Sequence, residues 1–226
     1  MHNCLVGSEM CIRDRLAGTD NTDINAFIDD ESIKLLIECI KRREDPLLVK
    51  QALTTLSMFC DMDNKFCSRF VSLNGINEAM KDMEIFKGKA ELTGPAMVII
   101  SKCCSSANPQ MLYDAEIVDS IKTNIKLNPN NEVILSSGVA ALASLGKHKD
   151  LFLSSLTNED TISVIAQAVS ARPRDIILTK ALATYITNVM VSDNGIPDPK
   201  IIDKLKQFGL VGMLNNAAEI YMDNND

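Results

Sequence analysis

Apolar residues recur at three- and four-residue intervals through most of this chain, and short polar breaks interrupt them. Residues 45–86 show the pattern best. Leu48, Ala52, Leu53, Leu56 and Phe59 share one helical face, and Asp45-Pro46 supplies a cap and a first-turn proline. Asp61 to Asn64 is a polar break. Phe66, Phe70 and Val71 predict a short second helix, Asn74-Gly75 a turn, and Ile76, Ala79, Met80 and Met83 a third helix. This long–short–medium order recurs. Further long helices are predicted over 88–104, 128–146 and 172–190, followed by apolar segments over 108–125, 149–169 and 198–221. Residues 31–43 read as the last helix of a preceding, incomplete repeat. Pro46 and Pro129 lie 83 residues apart, and Pro129 and Pro173 lie 44 apart, so the period is near 41–44 residues.

The segments "ALTTL" (52–56), "ALASL" (141–145) and "ALATY" (181–185), with "FVSLNGI" (70–76) at the turn, resemble the armadillo repeat family and its HEAT relatives. The resemblance covers residues 24–221. It departs from the family at the missing double glycine of the turn and at Gly94-Pro95, where a bend in the second long helix is expected. What it implies is an all-α fold, a right-handed solenoid of about four to five repeats. One repeat cannot bury its apolar faces alone, so stacking is obligatory. The expected organisation is a tail over 1–19 and a repeat domain over 20–226, a fragment of a longer array.

The resemblance also implies a function, a non-enzymatic scaffold that binds a protein partner on the concave face formed by the long helices. The alternative is a regulatory or cochaperone module of a larger multidomain protein. In armadillo proteins that bind nuclear-import signals, Trp and Asn ladders line this face. The corresponding positions here are Thr54, Met97, Ala143 and Ala183 for Trp, and Met58, Ser101, Lys147 and Thr187 for Asn. Neither ladder is present, which argues against an extended basic peptide as cargo. The groove is not densely basic either, which argues against a grip on acidic tails. A helix or a folded surface is the expected occupant, and these eight residues are its candidate contacts.

Composition narrows the function without naming a partner. The net charge is −7 and evenly spread, with 13 basic and 16 acidic residues over 1–110 and 10 and 14 over 111–226. No half is basic, so nucleic-acid binding is not expected. Aromatics make up 4% of the chain with no Trp, leaving aliphatic side chains and Met to fill the core. Met80, Met83, Met97 and Met213 fall on core-like positions.

Seven Cys with no CxxC, mostly among apolar neighbours, point to free thiols in a reducing compartment, the cytoplasm or the nucleus. No run is long enough for a membrane span. Residues 4–15, "CLVGSEMCIRDR", closely resemble a translated sequencing-library adapter, matched without a gap from Leu5 to Arg15. That reading removes Cys4 and Cys11 from biological account and makes Met1 a doubtful start.

No catalytic constellation is legible. His148, in "GKHKD", reads as an exposed loop histidine, and the other histidine, His2, stands beside the adapter-like stretch. Cys60 and Cys67 are 7 residues apart with no nearby Cys or His, which gives no zinc ligand set, so no metal and no cofactor is expected. "KRRED" (41–45) reads as a solvated helix end. The acidic pairs at 29–30 and 61–63 read as caps, and "DNTD" (20–23) lacks the glycine and final glutamate of a calcium loop. The Gly/Pro loop "VSDNGIPDPK" (191–200) is a secondary contact candidate.

Overall fold

A computed structural model describes residues 29–191 and 196–222. Among them the chain is all-α. Helix α1 (Asp30–Lys41) is followed by α2 (Pro46–Met62), α3 (Asn64–Ser72) and α4 (Gly75–Ile85). The next group is α5 (Ala90–Cys103), α6 (Pro109–Asp114) and α7 (Ile117–Leu127). Then come α8 (Glu132–Leu145), α9 (Lys149–Leu156) and α10 (Glu159–Ala171), and finally α11 (Ile176–Met190), α12 (Pro199–Gln207) and α13 (Leu210–Met222). Four long–short–medium groups thus follow α1. No helix among the described residues is long and apolar enough to cross a membrane. The adapter-like stretch, "DNTD" and residues 192–195 of the Gly/Pro loop lie outside the described residues.

The helix starts follow from local chemistry. Asp45, Asn131 and Asp175 each accept the backbone N–H three residues on, and so cap α2, α8 and α11. Pro46, Pro109 and Pro199 occupy the first turns of α2, α6 and α12, where no N–H is needed. The long helices start at residues 46, 90, 132 and 176. Their spacing is steadier than that of the prolines, because Pro129 and Pro173 sit in the preceding turns rather than at the helix starts. Helix α5 runs through Pro95. The ring removes the N–H that would have met the carbonyl of the preceding turn.

The long helices α2, α5, α8 and α11 pack side by side in chain order, with the medium helices behind them. Contacts between groups recur near the repeat period. Lys50 Nζ reaches Glu91 across 41 residues, Asn124 Nδ2 reaches Met83 O across 41, and Asn188 Nδ2 reaches Ala143 O across 45. This is a helical-repeat, α-solenoid arrangement, with a core shared between neighbouring groups. Leu53, Leu56, Met83, Met97, Ile100, Leu142 and Leu182 are all closed to solvent. Each such side chain contributes about 1.5–3 kcal/mol by burial. Met80 is buried too, whereas Met213 is half-buried at the last helix. Gly138 admits a close approach between α8 and α7, since a Cβ there would meet Ile125 Cδ1 at 2.8 Å.

The turn before each medium helix shows how the chain manages without a double glycine. Asn74 (φ 63°), Glu116 (φ 50°) and Gly209 (φ 77°) take left-handed backbone just before α4, α7 and α13. Glycine takes it without strain and asparagine tolerates it, whereas Glu116 is a residue type that rarely adopts it. The third group is built differently. Asn158 is an ordinary N-cap with φ −71°. The carbonyls at the end of α9 are instead met by side chains. Thr161 Oγ1 donates to Ser155 O at 2.7 Å, Tyr185 OH to Leu156 O at 2.7 Å, and Lys204 Nζ to Thr157 O at 3.0 Å.

Candidate functional site

Each long helix keeps one stripe that is not fully buried, half-buried along α5 and α8 and partly exposed along α2 and α11. In α2 it passes through Gln51, Thr55 and Met58, and in α5 through Pro95, Val98 and Ser101. In α8 it passes through Ser137, Ala140 and Ser144, and in α11 through Lys180, Thr184 and Thr187. The stripes hold small and mixed side chains, with no aromatic residue. Several hydroxyls are already engaged by their own helix: Thr55 Oγ1 donates to Gln51 O, Ser101 Oγ to Val98 O, and Thr184 Oγ1 to Lys180 O. These hydroxyls spend their donor on the helix's own carbonyls and keep only acceptor capacity for a partner. At one end of these helices Leu47, Val133, Ile176 and Ile177 are exposed.

The eight candidate contacts divide on this geometry. Lys147 and Thr187 are exposed, while Thr54, Met58, Ser101 and Ala183 are half-buried. Met97 and Ala143 are 0% and 1% exposed, which corrects the expectation for those two. Helices α5 and α8 each lie between two long neighbours, which leaves a narrower open stripe than a terminal helix has. That stripe runs one position further on, through Val98 and Ser144. Lys147 lies beyond the last residue of α8.

The basic run also needs correction. Arg43 is not a solvated helix end. Its Nε donates to Asp82 Oδ1 and its Nη2 to Glu78 Oε2, each at 2.7 Å, tying the α1–α2 turn to α4. Asp82 is 1% exposed, and burial, only partly offset by Arg43, pushes its carboxyl up to about 6. Glu78 behaves oppositely. Burial raises it, but hydrogen bonds from Arg43 and Lys81 outweigh that and hold it below the usual range. The acidic pairs do act at helix starts: Asp29 caps α1 and Asp63 caps α3. His148 is half-buried at the N-cap of α9.

A second constellation was not legible in the sequence. Cys60 at the end of α2, Cys67 on α3 and Cys103 at the end of α5 converge, with their three sulfurs within 4.8 Å of one another. The Sγ atoms of Cys60 and Cys103 are 3.8 Å apart, and the Cys67 thiol points to Cys60 O at 3.7 Å. All three are 1% exposed or less. Hydrogen bonds from the Cys103 and Cys60 thiols hold Cys67 well below the usual thiol range. Lys102 acts in the same direction, while burial and the Asp63 carboxylate oppose it. Cys103 is pushed up by its two sulfur neighbours and by burial. The adjacent Cys104 is buried apart from this cluster, and burial alone raises it to about 12.

Comparison with family models, curated proteins and solved structures gives no match to this chain. The functional reading therefore rests on the repeat packing, the open stripes and the thiol cluster. Among the described residues no pairing of a nucleophile with a histidine base is formed.

Proposed function

We propose that this chain is a non-enzymatic armadillo-type scaffold, a right-handed superhelix of about four to five repeats. Its long-helix face is the concave one and docks a protein partner. The observation that carries the reading is the side-by-side packing of α2, α5, α8 and α11, which aligns four open stripes into one continuous surface. A surface of small side chains and scattered charge suits a helix or folded domain. It lacks the aromatic clamps that hold an extended peptide. The exposed Leu47, Val133, Ile176 and Ile177 give that partner an apolar border. The cytoplasm or nucleus is the fitting compartment, since the five described cysteines are free thiols.

The test places a photo-crosslinking amino acid at Ser101, Ser144 or Thr187 on the long-helix face, and at Lys81 or Thr123 on the medium helices α4 and α7. Crosslinks to one partner confined to the first set are expected. Crosslinks confined to the second set, or equal from both, would overturn the assignment of the face. Micromolar binding of short basic peptides on an array would overturn the nature of the occupant.

A further inference from the structure

We propose that Cys60, Cys67 and Cys103 form a binding site for a monovalent copper ion held by three sulfurs. The first observation is distance. Metal–sulfur bonds of about 2.3 Å set sulfurs about 3.8–4.0 Å apart in tetrahedral or trigonal sites. Cys60 and Cys103 already stand at 3.8 Å, and the third sulfur lies within 4.8 Å of both. Little movement closes the triangle.

The second observation is the donor set. It is all sulfur, which selects soft ions such as copper(I) over hard ones. No fourth His, Cys, Asp or Glu among the described residues joins the cluster. Structural zinc sites need four protein ligands, and catalytic ones need a water in the fourth position. With its ligands at most 1% exposed, this pocket serves neither arrangement well. Three-coordinate copper(I) asks for nothing more than the three sulfurs present.

The third observation is charge. Each coordinated thiol releases its proton, and the ion enters and stays as copper(I), so no electron is transferred. The excess negative charge is met in part by two features, against the opposing carboxylates of Asp61 and Asp63. Lys102, beside Cys103 and bound to Asp61 at 2.8 Å, lies at the rim, and Cys67 stands near the N-terminal end of α3. The ligands come from two successive repeats, Cys60 and Cys67 from one and Cys103 from the next. A bound ion would therefore fasten the α2–α3 corner to α5.

The test uses the full chain, reduced and free of oxygen, titrated with copper(I) against the chelator bicinchoninate. One copper retained per chain is expected, with X-ray absorption giving a coordination sphere of three sulfurs. C60S, C67S and C103S should each weaken retention at least tenfold. C104S alters an equally buried thiol next door, and C39S a half-buried one, and both should leave retention unchanged. Far-UV circular dichroism on the copper-free variants separates lost ligands from lost fold. If a ligand variant unfolds, the sulfur count on the unaltered chain decides. Copper retained by the triple variant, through Cys4, Cys11, Cys39 or Cys104, would overturn the proposal. So would a coordination sphere containing nitrogen or oxygen, or zinc(II) held at this site while copper(I) is refused.

Discussion

Replacing Arg43 by Met should destabilise the N-terminal end of the array, and by an amount that depends on pH. Arg43 makes two charge-assisted hydrogen bonds of 2.7 Å, to Asp82 and Glu78. Bonds of this kind are worth about 1.5–3 kcal/mol each. Arg43 is 24% exposed at its side chain and regains some hydration when the protein unfolds, so about 3 kcal/mol is expected at pH 8. The pH dependence comes from Asp82. Its folded pKa of about 6 exceeds its ordinary 3.8, so its contribution to stability is greatest at low pH and declines as pH rises through that interval. Arg43 is what restrains this rise, by charge and by hydrogen bonding. Without it, Asp82 titrates higher still and stays protonated in the folded variant over a wider range. Each further pH unit by which its titration moves upward adds about 1.4 kcal/mol to the difference between variant and parent above the new pKa. The difference should therefore be smaller at pH 5, where the bond to the still-ionised Glu78 remains to be lost, and larger at pH 8, where the Asp82 contribution is added. Urea unfolding followed by circular dichroism at both values measures it. Hydrogen exchange in α1 and α4 locates the loss, since solenoids open locally. A difference that is equal at the two values, or below about 0.5 kcal/mol at pH 8, would refute the electrostatic argument.

Two further substitutions probe the turns. Tyr185→Phe removes the donor to Leu156 O from a fully buried ring and leaves that carbonyl without its partner. A loss of about 1–2 kcal/mol in urea unfolding is expected, and an unchanged midpoint would show that the α9 end is satisfied otherwise. Glu116→Gly relieves left-handed backbone at φ 50° before α7. The variant should gain up to about 1 kcal/mol after the greater chain entropy of glycine is counted, and a loss would show that the Glu116 side chain itself holds the turn.

What the sequence made legible was whatever depends on neighbours along the chain. Helical spacing and caps such as Asp45-Pro46 fix the long helices locally, so they can be read from a window of a dozen residues. Phase is harder. Whether a stripe passes through Met97 or Val98 depends on the rotation of α5 between α2 and α8, and a one-residue shift turns a helix by about 100°. A motif aligned across repeats by letter cannot resolve that. Contacts that span the repeat are harder still. Asp82 reads as one more surface acid until Arg43 is placed beside it from 39 residues away. Cys103 lies 43 residues from Cys60, far beyond the short spacings of local metal-binding motifs, yet the solenoid turns that distance into one step between neighbouring helices. In a repeat protein the period itself is therefore the spacing to search. Donors about 40 residues apart, at matching helical phase, are neighbours in space. Read with that rule, Cys60 and Cys103 stand together, and Cys67, one short helix on from Cys60, completes the proposed site.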